Sequence, residues 1–146
     1  YPCVLHFAAL GGKCPVPRLA PQDSATAFFH GRDLTGWPVE SRLWSVENGE
    51  IVGRSPGIGS NTFLLSDLAA ENFRLSLDVK LVKNEGNSGV QFRSKPVPDS
   101  HEVPGYQADA GQQYRGALYD DSRRKKILAG PKPDQVAVLD QTGWNV

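Results

Sequence analysis

The chain has 146 residues, with 16 Lys plus Arg against 16 Asp plus Glu, so its formal net charge is zero. That length suits one domain with a real core, and the missing basic excess argues against nucleic acid as the main partner. Hydrophobic residues at 39% mark a globular chain, and no uncharged apolar stretch approaches the roughly 18 residues of a spanning helix.

Residues 1–25 read as a Pro-rich N-terminal arm. Pro2, Pro15, Pro17 and Pro21 flank an apolar run at 4–10 that His6 interrupts. This stretch reads as an extended arm or the tail of something upstream, not as a core element. The chain opens on Tyr1-Pro2-Cys3 and contains no methionine, as a processed or excised piece would. No basic segment precedes the apolar run, which makes it a poor match to a signal peptide. Cys3 and Cys14 fit no metal or haem spacing; a disulfide in an oxidising compartment and two separate thiols both stay open.

Strand signals dominate the rest of the chain. Trp44-Ser45-Val46-Glu47-Asn48-Gly49-Glu50-Ile51-Val52 is a hairpin signature, because Asn-Gly supplies the two positive-φ residues of a type I′ turn. That turn pairs Val46 with Ile51. Residues 62–65 read as a short apolar strand, and 66–72 as one or two helical turns capped by Ser66. Phe73, Leu75, Leu77, Val79 and Leu81 alternate with polar residues, the mark of a half-buried strand over 72–81. Residues 88–94 alternate again, with Val90 and Phe92 opposite Gln91 and Arg93. Residues 105–109 set Tyr106 and Ala108 opposite Gln107 and Asp109. Prolines crowd the connections at 96, 98, 104, 131 and 133. The pattern predicts an all-β, antiparallel sandwich.

Such strands would place Gln91, Arg93, Gln107 and Asp109 on one polar face. Two amides, a guanidinium and a carboxylate suit the hydroxyls of a sugar, with Tyr106, Tyr114 or Tyr119 as stacking surfaces. The commoner fate of such a face is solvation with cross-strand polar pairing. A second dense patch, Tyr119-Asp120-Asp121-Ser122-Arg123-Arg124-Lys125-Lys126, reads equally as a binding patch for an anionic or polyhydroxylated ligand and as a charged turn. His6, His30 and His101 are isolated, and His101 beside Glu102 reads more readily as exposed than as a base or metal ligand. Neither a serine-hydrolase elbow nor a phosphate-binding loop is present.

Several of these stretches also resemble the 3-keto-disaccharide hydrolase family. Phe28-Phe29-His30-Gly31-Arg32-Asp33-Leu34-Thr35-Gly36-Trp37 resembles its opening motif, with His30 where asparagine is usual. The hairpin at 44–53 and the stretches Asn61-Thr62-Phe63-Leu64-Leu65-Ser66 and Gly86-Asn87-Ser88-Gly89-Val90-Gln91-Phe92-Arg93-Ser94 come next, in family order. Gly105-Tyr106-Gln107-Ala108-Asp109 and Gly116-Ala117-Leu118-Tyr119-Asp120, with Arg123-Arg124, complete the run.

The resemblance, covering about 26–146, implies a concanavalin-like jelly-roll sandwich in an exported, periplasmic or extracellular bacterial protein acting on an oxidised sugar or glycoside. A ketone at C3 acidifies the C2 proton, so a base can remove it and the aglycone leaves from C1. Carried onto this chain, Asp109 would be the base and Arg93 the stabiliser of the oxyanion. Gln91, Gln107, Tyr119, Asp120 and Arg123 would contact the sugar. A divalent cation on Asp109 or Asp120 has no ligand cluster to support it. The family continues beyond the Trp144-Asn145 pair with closing strands. The chain therefore reads as a sandwich lacking its last strands: either it is a fragment of a longer protein, or other protein chains, also contacted by the arm, cover the open edge. Two other functions compete with the enzyme: a non-catalytic structural subunit of a larger, membrane-associated or soluble assembly, and a carbohydrate-binding module.

Overall fold

The computed structural model describes residues 3–9 (backbone only), 28–38, 42–70, 73, 75, 77–137 and 140–145. These form two four-stranded antiparallel sheets, so the all-β expectation holds. The first sheet contains β1 (Cys3–Ala9), β2 (Trp44–Glu47), β3 (Glu50–Ser55) and β4 (Leu77–Leu81) in the order β2-β3-β1-β4. The second contains β5 (Gly89–Phe92), β6 (Gly105–Asp109), β7 (Leu118–Asp121) and β8 (Lys126–Ala129) in chain order.

Local chemistry explains the β2–β3 hairpin. Asn48 and Gly49 hold φ of 51° and 83°, which matches the twist of the flanking strands, and Val46 pairs with Ile51 as expected. Arg54 and Glu47 clamp it with a two-pronged ion pair, one arm being Nη2 to Oε2 at 2.7 Å. The opening motif at 28–38 is a set of turns. There His30 Nδ1 accepts the Arg32 N–H at 3.1 Å, a turn bond of the kind an asparagine oxygen makes.

Three sequence expectations change in the folded chain. The apolar run of the N-terminal arm, expected to lie outside the core, is strand β1, inserted between β3 and β4 with Phe7 opposite both Ile51 and Val79. An apolar run of this length suits a strand with a neighbour on each side, and only long-range pairing reveals those neighbours. The strand expected over 72–81 is shorter: β4 starts at Leu77, where its pairing with β1 begins at Ala9. Beyond that partner Phe73 and Leu75 are exposed. The segments 62–65 and 66–70 are neither strand nor helix; the Ser66 hydroxyl accepts the Leu68 N–H at 3.0 Å in a local turn instead. The short helix α1 (Pro133–Ala137) instead starts on a proline, whose missing N–H costs nothing in a first turn.

Val52 and Leu81, at 0% and 1% exposure, anchor the core of the first sheet. Burial of each such side chain is worth about 1.5–3 kcal/mol. Leu81 packs on Ala110, just beyond β6, with Val79 against them. The Ala110 N–H donates to the Ser88 carbonyl at 2.8 Å, which holds the start of β5 beside the end of β6. Asn145 forms one bridge to Val79 on β4. The Cys3–Cys14 pairing lies outside the described residues.

Candidate functional site

The second sheet carries the site, and its register decides which residues share a face. Gln91 pairs with Gln107, and Gln107 with Tyr119. Side chains two apart on a strand share a face, so Asp109 and Asp121 join this row. The face therefore holds Gln91, Gln107, Asp109, Tyr119 and Asp121.

Asp109 ends β6 and is 8% exposed. Its Oδ1 accepts the Gly111 N–H at 2.6 Å and its Oδ2 accepts Gln107 Nε2 at 3.3 Å. Burial pushes its pKa above the ordinary carboxylate value, outweighing these two hydrogen bonds. Gly111 is needed where it stands: a Cβ there would sit 2.2 Å from Asn87 Oδ1 and 2.8 Å from Asp109 Oδ1.

Tyr119 is half-buried between the carboxylates. Its pKa is raised, first by burial and then by the negative charges of Asp121, Asp109 and Asp120. Its hydroxyl is thus a proton donor throughout the neutral range. Asp121, 8% exposed, accepts Gln91 Nε2 at 2.7 Å and Asn61 Nδ2 at 3.5 Å on Oδ2.

Arg93 stands apart from the row. β5 ends at Phe92, and Arg93 takes a left-handed φ of 50°, so the expected Gln91–Arg93 alternation stops one residue short. Arg93 is exposed. Such a backbone is uncommon for a residue with a Cβ.

Asp120 and Arg123, grouped with the sugar contacts from sequence, lie on the reverse face. Asp120 pairs with Tyr106, one residue out of step with the Gln107–Tyr119 row. Asp120 is wholly buried; Arg123 Nε donates to Oδ1 at 2.7 Å, and Arg124 Nε donates to Oδ2. Burial opposes its charge, but the Arg124 and Arg123 hydrogen bonds and charges prevail and hold its pKa below the ordinary value. The Arg123 guanidinium also lies 4.3 Å from the centroid of the Tyr106 ring, and Arg124 Nη2 donates to Tyr106 Oη at 3.3 Å. The dense charged stretch is thus the β7–β8 turn, folded back onto its own acid.

Sequence reasoning missed Asp121, Asn61 and Gly111. Asp121 was within reach, since it stands two residues from Tyr119 in the same strand. Asn61 stands in a stretch that resembles the family, but only the tertiary fold brings it to Asp121. Among the described residues no group of three His, Cys, Asp or Glu gathers to hold a metal ion. A cleft of about 80 Å³ beside Trp44, Ile58 and Asn87 is small against the roughly 300–1,000 Å³ of ligand pockets.

A model of the 3-keto-alpha-glucoside-1,2-lyase-like domain matches residues 24–146. The chain belongs to this family. The match takes in every strand from β2 to β8, and so the whole polar face, while β1 precedes it. No curated protein and no solved structure matches the chain. The family suggests a sugar substrate, and no helix among the described residues is long and apolar enough to cross a membrane.

Proposed function

We propose that this protein cleaves 3-keto-glycosides by removing the C2 proton and expelling the C1 substituent. The observation that carries the reading is Asp109: a buried carboxyl whose partners among the described residues are neutral donors, with its pKa raised by that burial. A base of raised pKa holds an abstracted proton better than an ordinary carboxylate does.

In the proposed reaction Asp109 takes the C2 proton, and the C–H electrons form an enolate whose charge rests on the C3 oxygen. Arg93, exposed just past the end of β5, is the cation assigned to that oxygen. The enolate then re-forms the ketone, a C1–C2 double bond appears and the C1–O bond breaks. Tyr119, kept protonated by its surroundings, supplies the proton to the departing oxygen. Water added across the C1–C2 double bond gives the free 3-keto sugar, so the sum is hydrolysis. An exported location belongs to the same proposal, and fractionation of the source cells checks it.

The test is a 3-keto-disaccharide incubated with the protein in deuterated water and followed by NMR. Release of the aglycone with deuterium at C2, both lost in Asp109→Asn, is the expected result. Binding without release would favour a carbohydrate-binding module. Neither binding nor release would leave the structural-subunit reading.

A further inference from the structure

The proposed base is one half of a pattern that occurs twice on the same face. Gln107 Nε2 donates to Asp109 at 3.3 Å, and Gln91 Nε2 donates to Asp121 at 2.7 Å. Gln91 and Gln107 are direct partners across the β5–β6 ladder. Partners of this kind have Cβ atoms about 4.5–5.5 Å apart, so the two amides lie side by side. Both carboxyls are 8% exposed.

A carboxylate only accepts, so it obliges the amide it touches to present N–H to it. Each glutamine is thereby fixed in one of its two flips. The Ser94 hydroxyl, 3.3 Å from Gln91 Oε1 and 3.2 Å from the Phe92 carbonyl, shares its one proton between them. Among the described residues the partners of Asp121 are neutral: the Gln91 and Asn61 amides and, at 3.5 Å, the Ser122 hydroxyl. Asp120, one residue earlier, is instead saturated by two arginines. The charge of Asp121 therefore serves to orient amides.

We propose that Asp121 is the positioning residue for Gln91, and that the paired amides of Gln91 and Gln107 read sugar hydroxyls, leaving the ketone to other donors. This rests on the sugar-face reading above. Each fixed amide still offers a carbonyl lone pair and one N–H. A hydroxyl can answer both, because it donates and accepts. A ketone oxygen only accepts and leaves the carbonyl lone pairs unmatched.

The test is steady-state kinetics on a 3-keto-disaccharide with Asp121→Ala, Asp121→Asn, Gln91→Ala and the Asp121→Ala/Gln91→Ala double variant. Asp121→Ala is expected to raise KM about tenfold with kcat within about twofold, the mark of lost uniform binding. Asp121→Asn keeps an oxygen acceptor and should recover KM to within about threefold. The double variant should be no worse than Gln91→Ala alone, since Asp121 acts through Gln91. An unchanged KM in Asp121→Ala, or additive effects in the double variant, overturns the proposal while leaving the enzyme reading intact. If Asp121→Ala fails to fold, the wild-type side-chain amide NMR signals of Gln91 and Gln107 carry the test. Both should shift when the sugar is added, and sugar binding that leaves them still overturns the proposal. A wild type that binds the sugar and shifts those signals without turnover overturns the catalytic reading and supports this one. A wild type that binds no sugar overturns both.

Discussion

The two faces of the β5–β8 sheet bury carboxylates in opposite ways. On one face the partners of Asp109 among the described residues are an amide and a backbone N–H, and burial drives its pKa up. On the other, Asp120 is buried more completely, yet two arginines drive its pKa down. Desolvation alone therefore does not make a reactive acid; the difference lies in whether cations accompany it. The first carboxyl remains able to exchange a proton, while the second is consumed in holding a turn.

The sharpest way to break this contrast is Asp109→Asn. Turnover of a 3-keto-disaccharide is expected to fall by about 10²–10⁴, the usual worth of a positioned base. Activity of the wild type should also decline as pH falls through the raised Asp109 pKa. The stability effect has the opposite sign: the native state takes up this proton before the unfolded chain does. Ionised Asp109 thus costs stability above its folded pKa, and the cost is relieved as pH drops through it. Thermal unfolding across pH should show Asp109→Asn at least as stable as wild type at pH 7.

Asp120→Asn should do the reverse, lowering Tm at neutral pH. Its pKa is depressed in the folded state, so its stabilisation is present above the ordinary value of 3.8 and is lost as pH falls through the lower folded value. The Tm gap between wild type and variant should close with acid, and also shrink with salt, because the arginines are 39% and 54% exposed. A gap insensitive to both would mean that packing and not charge holds the β7–β8 turn.

Gly111→Ala tests how finely Asp109 is placed. The new methyl would crowd both Asn87 and Asp109, so kcat should fall about tenfold with the fold retained by circular dichroism. The smallest effects belong to purely local features. Gly49→Ala should cost about 1–2 kcal/mol in chemical denaturation, the penalty for a Cβ in left-handed backbone, with KM unchanged. Tyr106→Phe removes one 3.3 Å bond to a half-exposed arginine and should move stability by less than about 0.5 kcal/mol.

Much of this was legible in the chain. Period-two alternation located β5 and β6 to within two residues, and Asn48-Gly49 located the hairpin, because both signals depend on neighbours a few residues apart. Placing Gln91, Gln107 and Asp109 together came from alternation and needed only that the two strands be adjacent. Asp120 was harder. Its residue type and position resemble those of Asp109, and the one-residue step that moves it to the reverse face depends on the β6–β7 register. Arg93 escaped because alternation carries no mark of where a strand stops.

What the sequence determined alone, then, is the all-β character, the hairpin turn and the placing of Gln91, Gln107 and Asp109 on one polar row. Each comes from backbone sterics and the two-residue repeat of a strand. Only the tertiary structure decided that residues 3–9 complete a sheet, that Asn61 reaches Asp121, and that one buried aspartate meets cations and another does not. Those outcomes rest on contacts between residues far apart in the chain. The solvation and charge that set each carboxyl's chemistry exist only once those contacts have formed.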